Sequence, residues 1–233
     1  MQARKQAGAG RRDGRHRKPT ARSADRKKKQ ALSGDRIAAA ALDLVDRQGL
    51  DALSFRRLGE MLGCEAMSLY HYYPSKAHLL DAVIDRVFGA LTVPPPGVDW
   101  IQRLREACRN YRAMALAHPR LYPLMAVHRM NTRVGVRKLD EVIGLFRDGG
   151  FDDATAARLF RSVGYYLTGA ALDETAGYAK GPSAAEPVSD AEIARDCPNL
   201  AAAAPSFRPD RFERTFEAGL DLLLDGIARM RRG

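Results

Sequence analysis

From Ser33 onward, apolar residues recur at the spacing of helix faces. Ile37, Ala41, Leu44 and Val45 mark one face of a segment that Ser33 can cap and that Gly49 can end in the left-handed conformation. A second, short segment starts at Ser54 and turns Leu58, Met61 and Leu62 inward before Gly63. A third covers residues 65–72. Pro74 and Ser75 then open a longer helix, continuing to about Leu91, with Leu79, Leu80, Val83, Ile84 and Val87 inward. The run TVPPPGVD at 92–99 cannot continue a helix and predicts a boundary. Beyond it the pattern predicts helices at 99–117, 119–127, 132–147, 152–179 and 209–231. Residues 180–208 turn to Gly, Pro, Ala and Ser and predict a connection with one short helix near 189–195. No run of alternating β-branched residues interrupts this pattern, so the expected fold is all-α.

Segments 54–63 and 64–72 have the size and tight glycine turn of a helix-turn-helix. Spacing alone is a weak signal; the surface of the second helix strengthens it. Leu69 can pack inward, while Glu65, Ala66, Met67, Ser68, Tyr70, His71 and Tyr72 crowd a short outer surface. A solvated helix favours Lys and Glu there. Hydroxyls can instead bond phosphates, Ala and Met can meet thymine methyls, and His can donate to a base edge or a phosphate. Each residue also has a plainer reading: Tyr70 can be a core tyrosine with its hydroxyl at the surface, Tyr73 is expected to pack, and His78 to sit on a solvated face.

Charge adds to this picture when divided along the chain. The formal net charge is +10, and residues 1–34 hold 12 Lys and Arg against 2 acidic residues, so the whole excess lies there. With Met1 and Leu32 as its only large apolar residues, this stretch cannot offset its ordering entropy and is expected to be disordered in isolation. Two readings stay open: a basic arm that neutralises phosphates, and a solvated extension without a role. Cys64, Cys108 and Cys197 are odd in number and lack a CxxC, which argues against a disulfide framework or a zinc ribbon. No stretch approaches the roughly 18 apolar residues of a membrane span, and no signal-peptide core is present, so the cytoplasm is the expected location. Without GxGxxG, P-loop, HExxH or GxSxG there is no reason to expect an enzyme, a cofactor or a metal.

The run DRIAAAALDLVDRQGLDALSFRRLGEMLGCEAMSLYHYYPSKAHLLDAV, residues 35–83, resembles the TetR family of bacterial transcriptional repressors. Its most specific parts are Leu62-Gly63-Cys64, Ser68-Leu69-Tyr70 and Pro74-Ser75-Lys76 followed by Leu79-Leu80. The resemblance implies that residues 35–91 form a DNA-binding domain with its connecting helix, and 92–233 a helical domain for ligand binding and dimerisation. It places Ser68, Tyr70, His71 and Tyr72 at DNA-contacting positions, with Ala66 and Met67 at the base-reading start of the recognition helix. Arg56 matches a position that reaches the groove, and Lys76 matches a phosphate-binding lysine. Because Ala66 and Met67 offer no Gln, Asn or Arg, specificity is expected to lean on Arg56, van der Waals contact and DNA shape.

One helix-turn-helix reads few base pairs, so two copies are needed about 34 to 36 Å apart on a duplex operator. Phe212, Phe216, Leu220, Leu223, Leu224 and Ile227 form an apolar stripe on the last helix, and Leu159 and Val163 lie on the helix from Asp152. The resemblance implies that these two helices pair with their symmetry mates; the alternative is that both stripes fill the protomer core. It also implies a pocket for a small-molecule effector, with Cys108, Tyr111, Met125, His128, Phe146 and Tyr166 as lining candidates. His118 is expected at a helix end. Release from DNA then requires tighter effector binding to a conformation whose reading helices no longer match the groove, transmitted by the helix at 75–91. A DNA-binding dimer without a small-molecule switch is the other reading.

Overall fold

The computed structural model describes residues 31–97, 99–176 and 184–231. The basic stretch at 1–30, and the last residues expected in the helix at 152–179, lie outside them. The described residues form eleven α-helices and no strand: α1 (Gly34–Gln48), α2 (Phe55–Leu62), α3 (Ala66–Tyr70), α4 (Lys76–Ala90), α5 (Trp100–Ala117), α6 (Tyr122–Val127), α7 (Arg133–Asp148), α8 (Asp153–Ala176), α9 (Asp190–Asp196), α10 (Pro198–Ala203) and α11 (Phe212–Met230).

Local chemistry sets most boundaries. Ser33, Ser54, Ser75, Thr132 and Ser189 each accept a hydrogen bond from a backbone amide in the first turn of α1, α2, α4, α7 and α9. Gly63 (φ 68°, ψ 39°) ends α2 in the left-handed conformation, whereas Gly49 (φ 84°, ψ 171°) ends α1 with a positive φ but an extended ψ in place of the expected left-handed cap. Three helices differ from the periodicity. α6 starts at Tyr122 rather than at Pro119, because Pro123 has no amide hydrogen and is tolerated only within a first turn. α10 opens on Pro198, a favourable first helical position hidden in an Ala-rich run. α11 starts at Phe212, after a 3-10 turn at Pro209–Arg211.

Ile37, Leu44 and Val45 of α1 are buried together with Leu58, Leu69, Leu79 and Val83, the small core of the N-terminal helices. The larger core joins Trp100, Leu104 and Cys108 of α5, Leu145 and Phe146 of α7, Leu159, Val163 and Leu167 of α8, and Phe216, Leu220, Leu224 and Ile227 of α11. Arg103 is the one buried charged residue among those described. It ties the proline-rich connection to this core, donating to the Pro94 carbonyl at 3.0 Å and to Asp148 at 2.6 Å.

The stripes on α8 and α11 are therefore the protomer's own interior. Leu159, Val163, Phe216, Leu220, Leu224 and Ile227 are each at most 7% exposed, and Phe212 and Leu223 are half-buried. The reason is α5: Arg105 pairs with Asp221, and Arg109 grips Glu217 at 2.7 and 2.8 Å, turning the apolar face of α11 onto α5 and α8. What these two helices leave outside is a different set: Tyr165 is 67% exposed, Leu222 77% and Met230 57%.

Candidate nucleic-acid interface and core cavity

The reading end of the molecule is set by a close approach of α2 to the turn before α3. A Cβ on Gly59 would lie 2.7 Å from the Cys64 carbonyl oxygen and 3.2 Å from the Ala66 amide, so only glycine lets the turn sit this close. The Gly59 carbonyl in turn accepts from the Cys64 amide at 3.0 Å. Leu69 is fully buried beneath α3, and this anchor turns the remaining side chains outward.

Met67 is 69% exposed, Tyr70 44% and Tyr72 43%; His71 is also exposed, while Ala66 and Ser68 are partly covered. The Tyr70 ring stacks on Phe55 with centroids 4.3 Å apart, so its body belongs to the fold and its outer edge to the surface. Arg56 is exposed on α2 beside Glu60, 3.6 Å away. Lys76 donates to the Leu50 carbonyl at 3.3 Å, which holds its ammonium at the exposed N-terminus of α4. All eight residues expected on this face are thus on α2, α3, the turn after α3 or the start of α4. Tyr73 packs, donating its hydroxyl to the Gly34 carbonyl at 2.9 Å, and burial raises its pKa, with Asp35 adding to the shift. His78 is exposed and shares a hydrogen bond with Ser75.

Between α4, α6, α7 and α8 lies a cavity of about 620 Å³. Tyr111, Met125, His128 and Phe146 line it, as expected from the sequence. Cys108 and Tyr166 do not. Cys108 is buried in the core, where the loss of solvent pushes its thiol pKa to about 12. Tyr166 faces α11, donating to the Phe216 carbonyl at 2.5 Å. Phe88, Lys138, Phe160, Arg161 and Thr168 are lining residues that the sequence reading missed. The recurrence of Arg161, Gly164, Tyr165 and Thr168 along α8 was the available signal.

The cavity wall and the turn beside it at Thr132 are tied to α4 by polar contacts. His128 lies 3.3 Å from Asp81, Thr132 donates to Asp85 at 2.5 Å, and Lys138 donates to the Leu91 carbonyl at 2.9 Å. Asp81 and Asp85 are one turn apart in the middle of α4, the helix that begins at Lys76. A second tie runs from α1: His118, at the end of α5, lies 2.9 Å from Asp46, and Arg120 donates to the Arg47 carbonyl.

Residues 37–83 match the family model of bacterial regulatory proteins of the tetR family, and residues 93–231 match that of the tetracyclin repressor-like C-terminal domain. The chain belongs to the tetR family. Among its relatives is the tetracycline repressor protein class A from transposon 1721 of Escherichia coli, 30% identical over 206 residues that span 86% of this chain and 92% of the relative. A possible TetR family regulator of Streptomyces coelicolor superposes with a TM-score of 0.70 at 32% identity, covering 85% of this chain and all of that one. ActR of Streptomyces coelicolor, crystallised with actinorhodin, superposes with a TM-score of 0.69 at 30% identity, covering 87% and 99%. As a tetR family member the chain is a DNA-binding transcriptional regulator with a ligand-binding C-terminal region; it is no enzyme, and several of its relatives are named as repressors. No helix among the described residues is long and apolar enough to cross a membrane.

Proposed function

We propose that two copies of this chain bind a palindromic operator through Arg56, Ala66, Met67, Ser68, Tyr70, His71, Tyr72 and Lys76, and leave it when a small lipophilic effector fills the cavity. In this reading the tyrosine hydroxyls, His71 and Lys76 meet phosphates and fix the register, and Met67 and Ala66 reach base edges by van der Waals contact. The observation that carries the reading is the set of ties from the cavity wall to α4. An effector that displaces His128 or Lys138 loosens Asp81 and the Leu91 carbonyl, and so shifts the helix bearing Lys76. An open cavity also speaks against a core that serves dimerisation alone.

The protomer stripe being internal, we infer that the dimer forms through the outer face of α11, where Leu222 and Met230 are exposed, together with the adjoining surface of α8. The basic residues of 1–34 add phosphate contacts beside the operator, and the chain acts in the cytoplasm. Selection of bound fragments from genomic DNA, followed by a screen for compounds that release them, tests the function as a whole. Asp81→Asn is expected to keep DNA binding and effector binding but to weaken release. Release unchanged by Asp81→Asn would remove the transmission route.

A further inference from the structure

Phe160, Arg161, Gly164, Tyr165 and Thr168 line one wall of the cavity from a single face of α8. The lining residues include Lys138, His128 and Arg161 and no carboxylate. Two of these groups are engaged: the Lys138 ammonium by Glu141 at 2.6 Å and by the Leu91 carbonyl, and the His128 ring by Asp81. Arg161 differs. Its guanidinium lies 5.8 Å from the centre of the Tyr165 ring, and no ion pair neutralises it among the described residues.

The opposite end of this wall is polar without charge. Thr168 lies seven residues on, about 10 Å along the helix axis. The Tyr111 and Tyr122 hydroxyls meet at 2.9 Å, and the Tyr122 hydroxyl also bonds Thr168. Burial raises the pKa of Tyr122, with Tyr111 adding to the shift, so this end offers neutral hydroxyls. Between the two ends the surface is aromatic and aliphatic, with Phe88 and Phe146 among its members.

We propose that the cavity is built for a lipophilic aromatic acid: an anionic group at Arg161, a flat body over the apolar surface, and a carbonyl or hydroxyl about 10 Å away at Thr168 and Tyr111. An acid entering an apolar cavity must find a cation, and among the described residues Arg161 is the lining cation without an ion pair. A cationic ligand would meet like charge from the Arg161 guanidinium. This inference rests on the reading of the cavity as the effector site and adds the charge of the effector to it.

A matched pair of fluorescent probes tests it. 1-Anilinonaphthalene-8-sulfonate is an aromatic anion, and N-phenyl-1-naphthylamine is the same skeleton without the sulfonate. The full chain is expected to bind the sulfonate at least about tenfold more tightly than the neutral probe, the worth of one charge-assisted hydrogen bond. Arg161→Gln is expected to reduce this preference to about threefold or less, while Arg158→Gln, an exposed change on the same helix, leaves it intact. Val142→Trp, which fills the cavity, is expected to abolish both signals. Equal binding of the two probes, or a preference that survives Arg161→Gln, overturns the acid proposal and leaves the effector site standing. Binding of neither probe, or binding untouched by Val142→Trp, overturns the effector site itself.

Discussion

The helices α1 to α4 and the helices α5 to α8 with α11 solve opposite problems with the same secondary structure. In the first group a small core is filled, and the informative side chains, Met67, Tyr70, His71 and Tyr72, are the ones turned out. In the second the apolar stripes are turned in, and the informative feature is the space left between them. A surface for a rigid polyanion needs side chains fixed in the open. A site for a small apolar molecule needs space between its walls, while ion pairs of Arg103, Arg105, Arg109 and Arg112 join α5 to α7, α11 and α8 outside that space.

The two regions should break differently. Leu220→Ala removes a fully buried side chain of the larger core and is expected to lower unfolding free energy by roughly 2–5 kcal/mol, seen as a shift in the denaturant midpoint. Leu222→Lys, two residues away but exposed, is expected to leave helical content unchanged and to weaken the dimer in sedimentation. The opposite pattern would return the stripe to the interface. Gly59→Val is expected to cost about 1–3 kcal/mol and to remove operator binding, because its side chain meets backbone at the turn before α3. Circular dichroism beside a gel-shift assay separates these two effects.

Tyr70→Phe keeps the stacking on Phe55 and removes only the hydroxyl, so it is expected to weaken DNA binding without lowering stability. Lys76→Ala should weaken it as well and lower the log–log salt slope by about 0.9, the value of one phosphate contact. Unchanged affinity in both would empty the face of its assigned role.

The smallest expected effect concerns pH. The Arg109 hydrogen bonds hold the Glu217 carboxyl below its ordinary value of 4.5. A lowered acid contributes stability that is fully present above that ordinary value and is lost as pH falls through the lower folded one. Acid titration of the unfolding midpoint should therefore steepen below pH 4.5, and Arg109→Gln should flatten part of that slope. With both side chains partly exposed the contribution is modest.

How much of this was legible differs between the regions for a physical reason. Ser33, Ser54 and Ser75 as caps, Gly49 and Gly63 as stops and Leu69 as the anchor of α3 are local facts, readable from neighbours a few residues away. The cavity is not local. Tyr111, Met125, His128 and Phe146 could be nominated by type, but Cys108 and Tyr166 have the same character and face packed neighbours instead. Periodicity likewise showed that Phe216, Leu220, Leu224 and Ile227 share a face. It could not tell a partner chain from α5, because the deciding ion pairs join residues more than a hundred positions apart.

The most direct test of the central claim is selection of duplexes from a random pool by the purified full chain, with the recovered sites mapped by footprinting. The account predicts an inverted repeat whose half-sites lie one helical turn, about 34 to 36 Å, or a multiple of it apart, protected on one face and lost in the Tyr70→Ala, Lys76→Ala double variant. No enriched sequence, or a single asymmetric site still bound by that variant, would contradict it.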